Sequence, residues 1–379
     1  VHPVDERERQ PDEPWLTPGV RGIGLASLLA DLGHEIPTAL LPSFLTSILG
    51  APAAVLGLIE GIADGLSGMA RFLGGALADD PTRRRSVALG GYTLTAVLSG
   101  LIGLSTAAWQ VGVLRAGAWT ARGLRVPARN ALLADAVHPT AYGRAYGFER
   151  AMDNLGAVGG PILALGLLAL VGMREAILLS IVPGMLAAVA IAYAIRHLRQ
   201  PMRRVRTPVR IVIRPVLAGG VGGLMVGISA FEVGNLAATL LILRATELLT
   251  PGRGLIEAAQ LAIILYTAYN VAATVTSVPA GRFADRLGSV IVLRAGVGLF
   301  AIAYALFALS GPDLAILAIA FVVAGVAIGA VETAEHAAVA ALAPTHLRGS
   351  AFGLLAAIQS VGNFVASVGA GVLWTFIGP

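Results

Sequence analysis

The sequence predicts an all-α polytopic membrane protein built as two parallel-repeat helix bundles, eleven helices in all, with a twelfth missing after the last residue. Three observations lead there. The chain is 56% hydrophobic and only 13% charged, about half the charge of an ordinary soluble domain. Its apolar stretches are long: Val87–Val113 and Ile36–Ile59 contain no charge, and about 20 apolar residues suffice for a helix to cross a bilayer core of about 30 Å. A repeat also runs through the chain at one fixed offset.

Apolar runs between breakers place spans near 20–49, 53–78, 86–107, 109–135, 144–171, 174–195, 215–243, 258–281, 288–310, 313–342 and 347–377. Gly50-Ala51-Pro52, Asp80-Pro81, His138-Pro139, Gly311-Pro312 and Ala343-Pro344 punctuate the turns between them. The expected organisation is a cytoplasmic tail at 1–19, a six-helix bundle at 20–195, a basic linker at 196–214 and a bundle of five helices at 215–379. The polar, proline-rich start lacks the basic-then-apolar order of a signal peptide.

Orientation follows from arginine, since there is no lysine. Arg83, Arg84, Arg85, Arg144, Arg282, Arg286 and Arg348 fall in loops on one side, as do seven arginines between Arg196 and Arg214. Only Arg174, Arg244 and Arg253 fall opposite. The positive-inside rule puts the N-terminus and the linker in the cytoplasm of a bacterial or archaeal inner membrane. A pI near 10 is thereby assigned to topology, not to nucleic acid. The absence of cysteine excludes disulfides, thiolate metal ligands and cysteine nucleophiles.

The repeat is seen at three places. Gly75–Asp79 (GALAD) recurs as Gly281–Asp285 (GRFAD), Arg144–Phe148 (RAYGF) as Ser350–Leu354 (SAFGL), and Gly156 as Gly362, each 206 residues later. Both copies fall on the basic side, so the halves run parallel, an architecture found in transporters. By the same offset the sixth span should recur near 380–401, and the chain stops at Pro379. A missing last helix is therefore expected.

Gly75-Ala76-Leu77-Ala78-Asp79, followed by Arg83 and Arg84, resembles the motif between helices 2 and 3 of the major facilitator superfamily. The resemblance implies a gating latch made of Gly75, Asp79, Arg83, Arg84, Asp135 and Asp285. A small residue lets helix 2 approach the other half, Asp79 faces a helix N-terminus, and the arginines reach Asp135 at the foot of helix 4. Asp80 and Thr82 depart from the pattern, and the second copy has Ser289 and Val290 in place of its basic pair. The first half is therefore expected to carry the latch. Gly147, Gly156, Gly160 and Pro161 in the fifth span are similar to the antiporter motif of the same superfamily, with Ala164 and Leu165 replacing its closing glycines. That similarity implies export by exchange with protons; plain helix packing through small residues is the competing explanation. Ala30–Leu45, Gly57–Gly65 and Ala121–Asp135 resemble a little-characterised prokaryotic branch that names no substrate.

Ionisable residues within the spans are costly and so are candidates for function. Asp31, His34 and Glu35 lie in the first span, and Glu60, Asp64 and Arg71 in the second, the last three within roughly 40° of one helical face. Arg115, Arg122, Arg125 and Arg129 form a face of the fourth span. In the second half stand Glu232 with Asn235, then Tyr266, Tyr269 and Asn270, then Glu332, Glu335 and His336. Asn270 takes the place of Asp64 in the repeat. The candidate proton-coupling or substrate-binding set is Asp31, His34, Glu35, Glu60, Asp64, Arg122, Glu232, Asn270, Glu332, Glu335 and His336. Carboxyls in a desolvated cavity can bind and release protons near neutral pH. The competing explanation pairs Asp64 with Arg71, and Glu60 or Asp31 with Arg122, as fixed ion pairs; Arg150 and Asp153 read as structural. His34, Glu35, Glu332, Glu335 and His336 also offer ligands for a divalent transition metal.

No nucleophile elbow, zinc-protease motif or phosphate-binding glycine loop is present. The expectation is a non-enzymatic, monomeric, proton-coupled exporter of a small molecule or ion. It would be embedded in lipid, use the proton gradient and no cofactor, and bind no nucleic acid. Alternatives are a divalent-metal exporter, an uptake symporter and a non-transporting sensor or enzyme.

Overall fold

The computed structural model describes residues 14–198, 209, 213–217, 220–236 and 238–376. Helices α1 (Pro18–Ser43), α2 (Ala53–Ala78), α3 (Pro81–Leu101), α4 (Ala108–Ala136), α5 (Tyr142–Val171), α6 (Met173–Leu179) and α7 (Ile181–His197) make the first half. Helices α8 (Gly220–Gly234), α9 (Ala238–Leu249), α10 (Leu255–Leu287), α11 (Ser289–Leu309), α12 (Leu314–Leu342) and α13 (Arg348–Phe376) make the second. There is no strand among the described residues. Most of the expected tail and linker, with Arg199, Arg203, Arg204, Arg206 and Arg210, lies outside them.

The eleven spans correspond to these helices with two interruptions. The sixth is α6 and α7, broken at Ser180, and the seventh is α8 and α9, broken after Gly234. At the second break the Tyr304 hydroxyl accepts a hydrogen bond from Leu236 N at 2.8 Å, so a freed backbone donor is satisfied by protein. The first span ends in a π turn at Phe44–Ile48 just beyond Pro42, which cannot donate to the helical ladder. The tail also yields residues to the bundle: Thr17 caps α1 at Val20 N, 3.3 Å away, and Trp15 packs edge-on against Phe148.

Among the described residues seven spans, one of them α6 and α7 together, are apolar and long enough to cross a membrane on those grounds alone. α1, α2 and α4 are not among them because each carries several ionisable residues. The expected candidates are concentrated on these three helices, together with α8, α10 and α12.

Within the first half α1 packs on α5 and α7, α2 on α4, and α3 on α4 and α7. In the second, α12 packs on α10 and α11, and α8 on α13. The halves meet through α2 on α13 and α5 on α10, two pairs that the 206-residue offset interchanges. At the basic ends these contacts are backbone-close: a Cβ on Gly75 would fall 2.8 Å from Gly353 Cα. Further along the same face of α2, a Cβ on Gly68 would still come within 3.7 Å of Ser360, whereas Gly65, Gly61 and Gly57 meet nothing within 4 Å among the described residues. Among the described residues, the close contacts between the bundles thus gather at the end with the basic loops.

Candidate functional site

The closed end carries two equivalent contacts. Asp79, just past α2, accepts a hydrogen bond from Ser350 N at 2.8 Å and another from the Ser350 hydroxyl, at the start of α13. Asp285, near the end of α10, accepts from Gly143 N at 2.6 Å, Arg144 N at 3.2 Å and Arg144 Nε at 2.7 Å, at the start of α5. Each carboxylate thus sits on exposed amides at a helix N-terminus of the opposite half. The expectation that the first half carries the latch is corrected to this extent: the second half makes the equivalent contact through Asp285. That expectation rested on the missing basic pair, whereas the contact needs only the aspartate and the close glycine approach behind it. Burial pushes the Asp79 carboxyl above its ordinary value, against the opposing effect of the Ser350 hydrogen bonds. Arg84, buried, pairs with Asp135 and donates from Nε to Ala78 O at 2.7 Å. Arg83 reaches Asp80 instead, at 3.7 Å.

Between the halves, the wall of the first is a paired network. Arg115 holds Glu60 at 3.0 Å, donates to Thr38 Oγ1 at 3.1 Å and lies 3.4 Å over the Trp119 ring. The Trp119 indole donates to Asp64 at 3.0 Å. Arg122 meets His34 Nε2 at 2.8 Å and Asp31 at 3.4 Å. His34 also lies 3.2 Å from Asp31 through Nδ1 and 3.1 Å from Glu35 through Nε2. The expected pair of Asp64 with Arg71 is not formed: Arg71 reaches across to Ser360 Oγ at 2.7 Å. Of the pairs expected for Arg122, Asp31 is formed, and Glu60 goes to Arg115.

Deeper lies a cluster that the candidate set omitted. Glu149 is fully buried and takes hydrogen bonds or ion pairs from Ser27 (2.6 Å), Arg129 (2.8 Å) and Arg150 (2.8 Å). Asp153 meets Arg129 at 3.3 Å and Arg150 at 3.1 Å. Two acids and two arginines neutralise one another. The spacing of Glu149 and Asp153, four apart on one helix, could have indicated it. Gly156 and Gly160 sit behind this network, against Leu28 to Glu35 of α1; their small size lets α1 and α5 approach and seats Asp31 and Glu35.

The second half differs. Glu232 accepts from Asn235 at 3.0 Å. Glu335 accepts from Gln359, and its Oε2 is buried with no partner among the described residues. His336 Nδ1 is 2.7 Å from the Glu332 carbonyl oxygen and only loosely, at 3.9 Å, from the Glu335 carboxylate. No arginine pairs with Glu232, Glu332 or Glu335 among the described residues. Asn270 donates to Tyr266 O at 3.0 Å, within its own helix. Tyr266 and Tyr269 stack at 5.6 Å, while Phe300 contacts Phe231 at 5.2 Å and Tyr304 at 4.8 Å.

The two sets of candidate metal ligands do not join. Among the described residues no three His, Cys, Asp or Glu side chains form a group able to hold a metal ion. Both ring nitrogens of His34 lie against polar partners, Nδ1 at 3.2 Å from Asp31 and Nε2 at 2.8 Å from Arg122 and 3.1 Å from Glu35.

Comparison with known proteins agrees with this architecture. A model of the Major Facilitator Superfamily matches residues 23–243 and 223–379. An uncharacterised protein of Mycobacterium tuberculosis is 28% identical over 359 residues, covering 93% of this chain and 85% of the relative. An uncharacterised MFS-type transporter of Methanocaldococcus jannaschii is 27% identical over 369 residues, covering 95% and 89%. The crystal structure of a bacterial homologue of the iron transporter ferroportin, in an outward-facing state, superposes with a TM-score of 0.76 at 17% identity, covering 94% of this chain and 92% of that one. With two matched segments spanning nearly all of it and the fold to go with them, the chain belongs to the major facilitator superfamily of transporters.

Proposed function

We propose that this chain is a proton-coupled secondary transporter that exports a small molecule or ion by alternating access, drawing on the proton gradient without a cofactor. The N-terminus and the closed end would face the cytoplasm, so the cleft opens outward. The observation that carries the coupling is the asymmetry of charge. First-half acids Asp31, Glu60, Glu149 and Asp153 are held by arginines, whereas Glu232 and Glu335 are met by the amides of Asn235 and Gln359, and among the described residues no arginine pairs with them or with Glu332. A carboxylate in a membrane interior without a cation is penalised, so a proton reaching it is retained until a substrate or a change of state displaces it. Glu35 and Arg122, the partly exposed members of the network with Asp31 and His34, would offer the second half a partner when the bundles rock. The likeness of α5 to the antiporter motif supports export over uptake. A metal cargo is less favoured, because the ligands do not converge.

The test uses protein in liposomes under an imposed pH gradient, with a lumenal pH dye read during addition of organic ions, organic neutrals and divalent metals. Proton flux opposite to solute flux is expected. Glu335→Gln and Glu332→Gln should abolish coupled flux while the thermal midpoint stays near that of the parent. Full coupling in both variants would remove these acids from the mechanism, and co-directional flux would establish symport instead.

A further inference from the structure

Between α1, α3, α4 and α7 a small cavity is lined by Arg125, Tyr92, Ser99, Ser180 and His34. The first four are each 3% exposed or less. Among the described residues, Arg125 Nε and Nη1, Tyr92 OH, Ser99 Oγ and Ser180 Oγ all lack a hydrogen-bond partner. Thr95, on the same wall, is already satisfied by Gly91 O at 2.7 Å.

We propose that this cavity is a binding site for one small monovalent inorganic anion of the chloride class, held by Arg125 and the hydroxyls of Tyr92, Ser99 and Ser180. Charge is the first reason. No carboxylate lies within ion-pair distance of Arg125 among the described residues, because Asp31 is taken by Arg122 and His34. The Tyr92 ring, 3.9 Å from the guanidinium carbon, offsets only part of the cost of burying a cation. Valence is the second. Five unsatisfied donor atoms, two on Arg125 and one each on Tyr92, Ser99 and Ser180, belong to the residues that line this cavity, whereas one water makes at most four hydrogen bonds. A halide accepts from all five and cancels the charge. Size is the third. Gly33 packs against the backbone of Gly184, and Gly184 against Ala96, which keeps the space between α1, α3 and α7 narrow. His34 joins the cavity to the cleft network, so occupancy is expected to steady the Asp31–His34–Arg122 cluster.

The experiment takes the full chain in detergent, free of halide in gluconate buffer. Gluconate is then exchanged for chloride at constant ionic strength, while the thermal midpoint and the chloride-35 linewidth are followed. A saturable rise in midpoint with saturable line broadening is expected. Ser99→Ala and Ser180→Ala should each raise the half-saturating chloride concentration about tenfold, the weight of one hydrogen bond to a charged group. Arg125→Met should remove the dependence. Three results would overturn the site: no chloride dependence, which means water fills the cavity; a non-saturating rise; or saturation unchanged in both serine variants, which means an adventitious ion only. The serine variants keep the test decisive should Arg125→Met fail to fold.

Discussion

The contact between Asp79 and the start of α13 allows a quantitative prediction about which state the transporter adopts. Asp79→Ala removes two hydrogen bonds to a carboxylate, from Ser350 N and its hydroxyl. At about 1.5 kcal/mol each, the low end for bonds to charged groups, the loss is about 3 kcal/mol. Burial of the carboxyl, which pushes it above its ordinary value, offsets part of that, leaving about 2 kcal/mol, or about a 30-fold change in the ratio of closed to open basic ends. Asp79→Asn should behave differently, since an amide accepts from Ser350 N and donates to its hydroxyl oxygen. A protonated Asp79 keeps both bonds in the same way. With the carboxyl raised in the closed state, that state binds the proton more tightly than a solvated one. Closure should therefore strengthen as pH falls through the raised value and be weakest above it. The chain has no cysteine, so spin labels at Thr140→Cys and Thr345→Cys, in the loops before α5 and α13, report the distance across the basic end. In Asp79→Ala the short-distance population should fall and a longer one appear. An unchanged distribution would show that the contact does not set the state. Opening in Asp79→Asn equal to that in Asp79→Ala would show that charge, not hydrogen-bond geometry, carries it.

Three further outcomes follow from the same geometry. Gly143→Val would drive a side chain into the backbone of Gly281, and the same spin-label pair should report a basic end held open. Removing Asp135 leaves Arg84, 2% exposed, buried without its acid, so Asp135→Ala should cost about 3 kcal/mol of stability. Arg84→Ala leaves a carboxylate that is 40% exposed and still near Arg348, so it should cost about 1 kcal/mol; equal losses in denaturation midpoint would contradict this. Glu149→Gln strips the charge shared by Arg129 and Arg150 and should cost about 3 kcal/mol or more. A thermal midpoint in detergent unchanged from the parent would show that Asp153 alone suffices.

The sequence alone determined the class of this protein because membrane insertion is a one-dimensional constraint. Length, apolarity and the placement of arginine suffice to find spans, and a 206-residue offset between Gly75–Asp79 and Gly281–Asp285 suffices to find two halves. It also fixed which residues would be costly to bury, and so which would matter. What it did not decide was partnership. Asp64 faces Arg71 on a helical wheel, yet it bonds Trp119 of another helix, while Arg71 crosses to Ser360. Glu149 fell outside the candidate set although it anchors the most enclosed charge cluster, and Arg125 gave no sign that it alone among the four α4 arginines would have no acid. Asp285 engages α5 despite the degraded motif around it. In each case the deciding quantity is the approach of helices far apart in the chain, set by glycines at their crossings and by which carboxylate is within about 4 Å of a guanidinium. Periodicity places a side chain on a face of its own helix; only the packed bundle decides what stands opposite it.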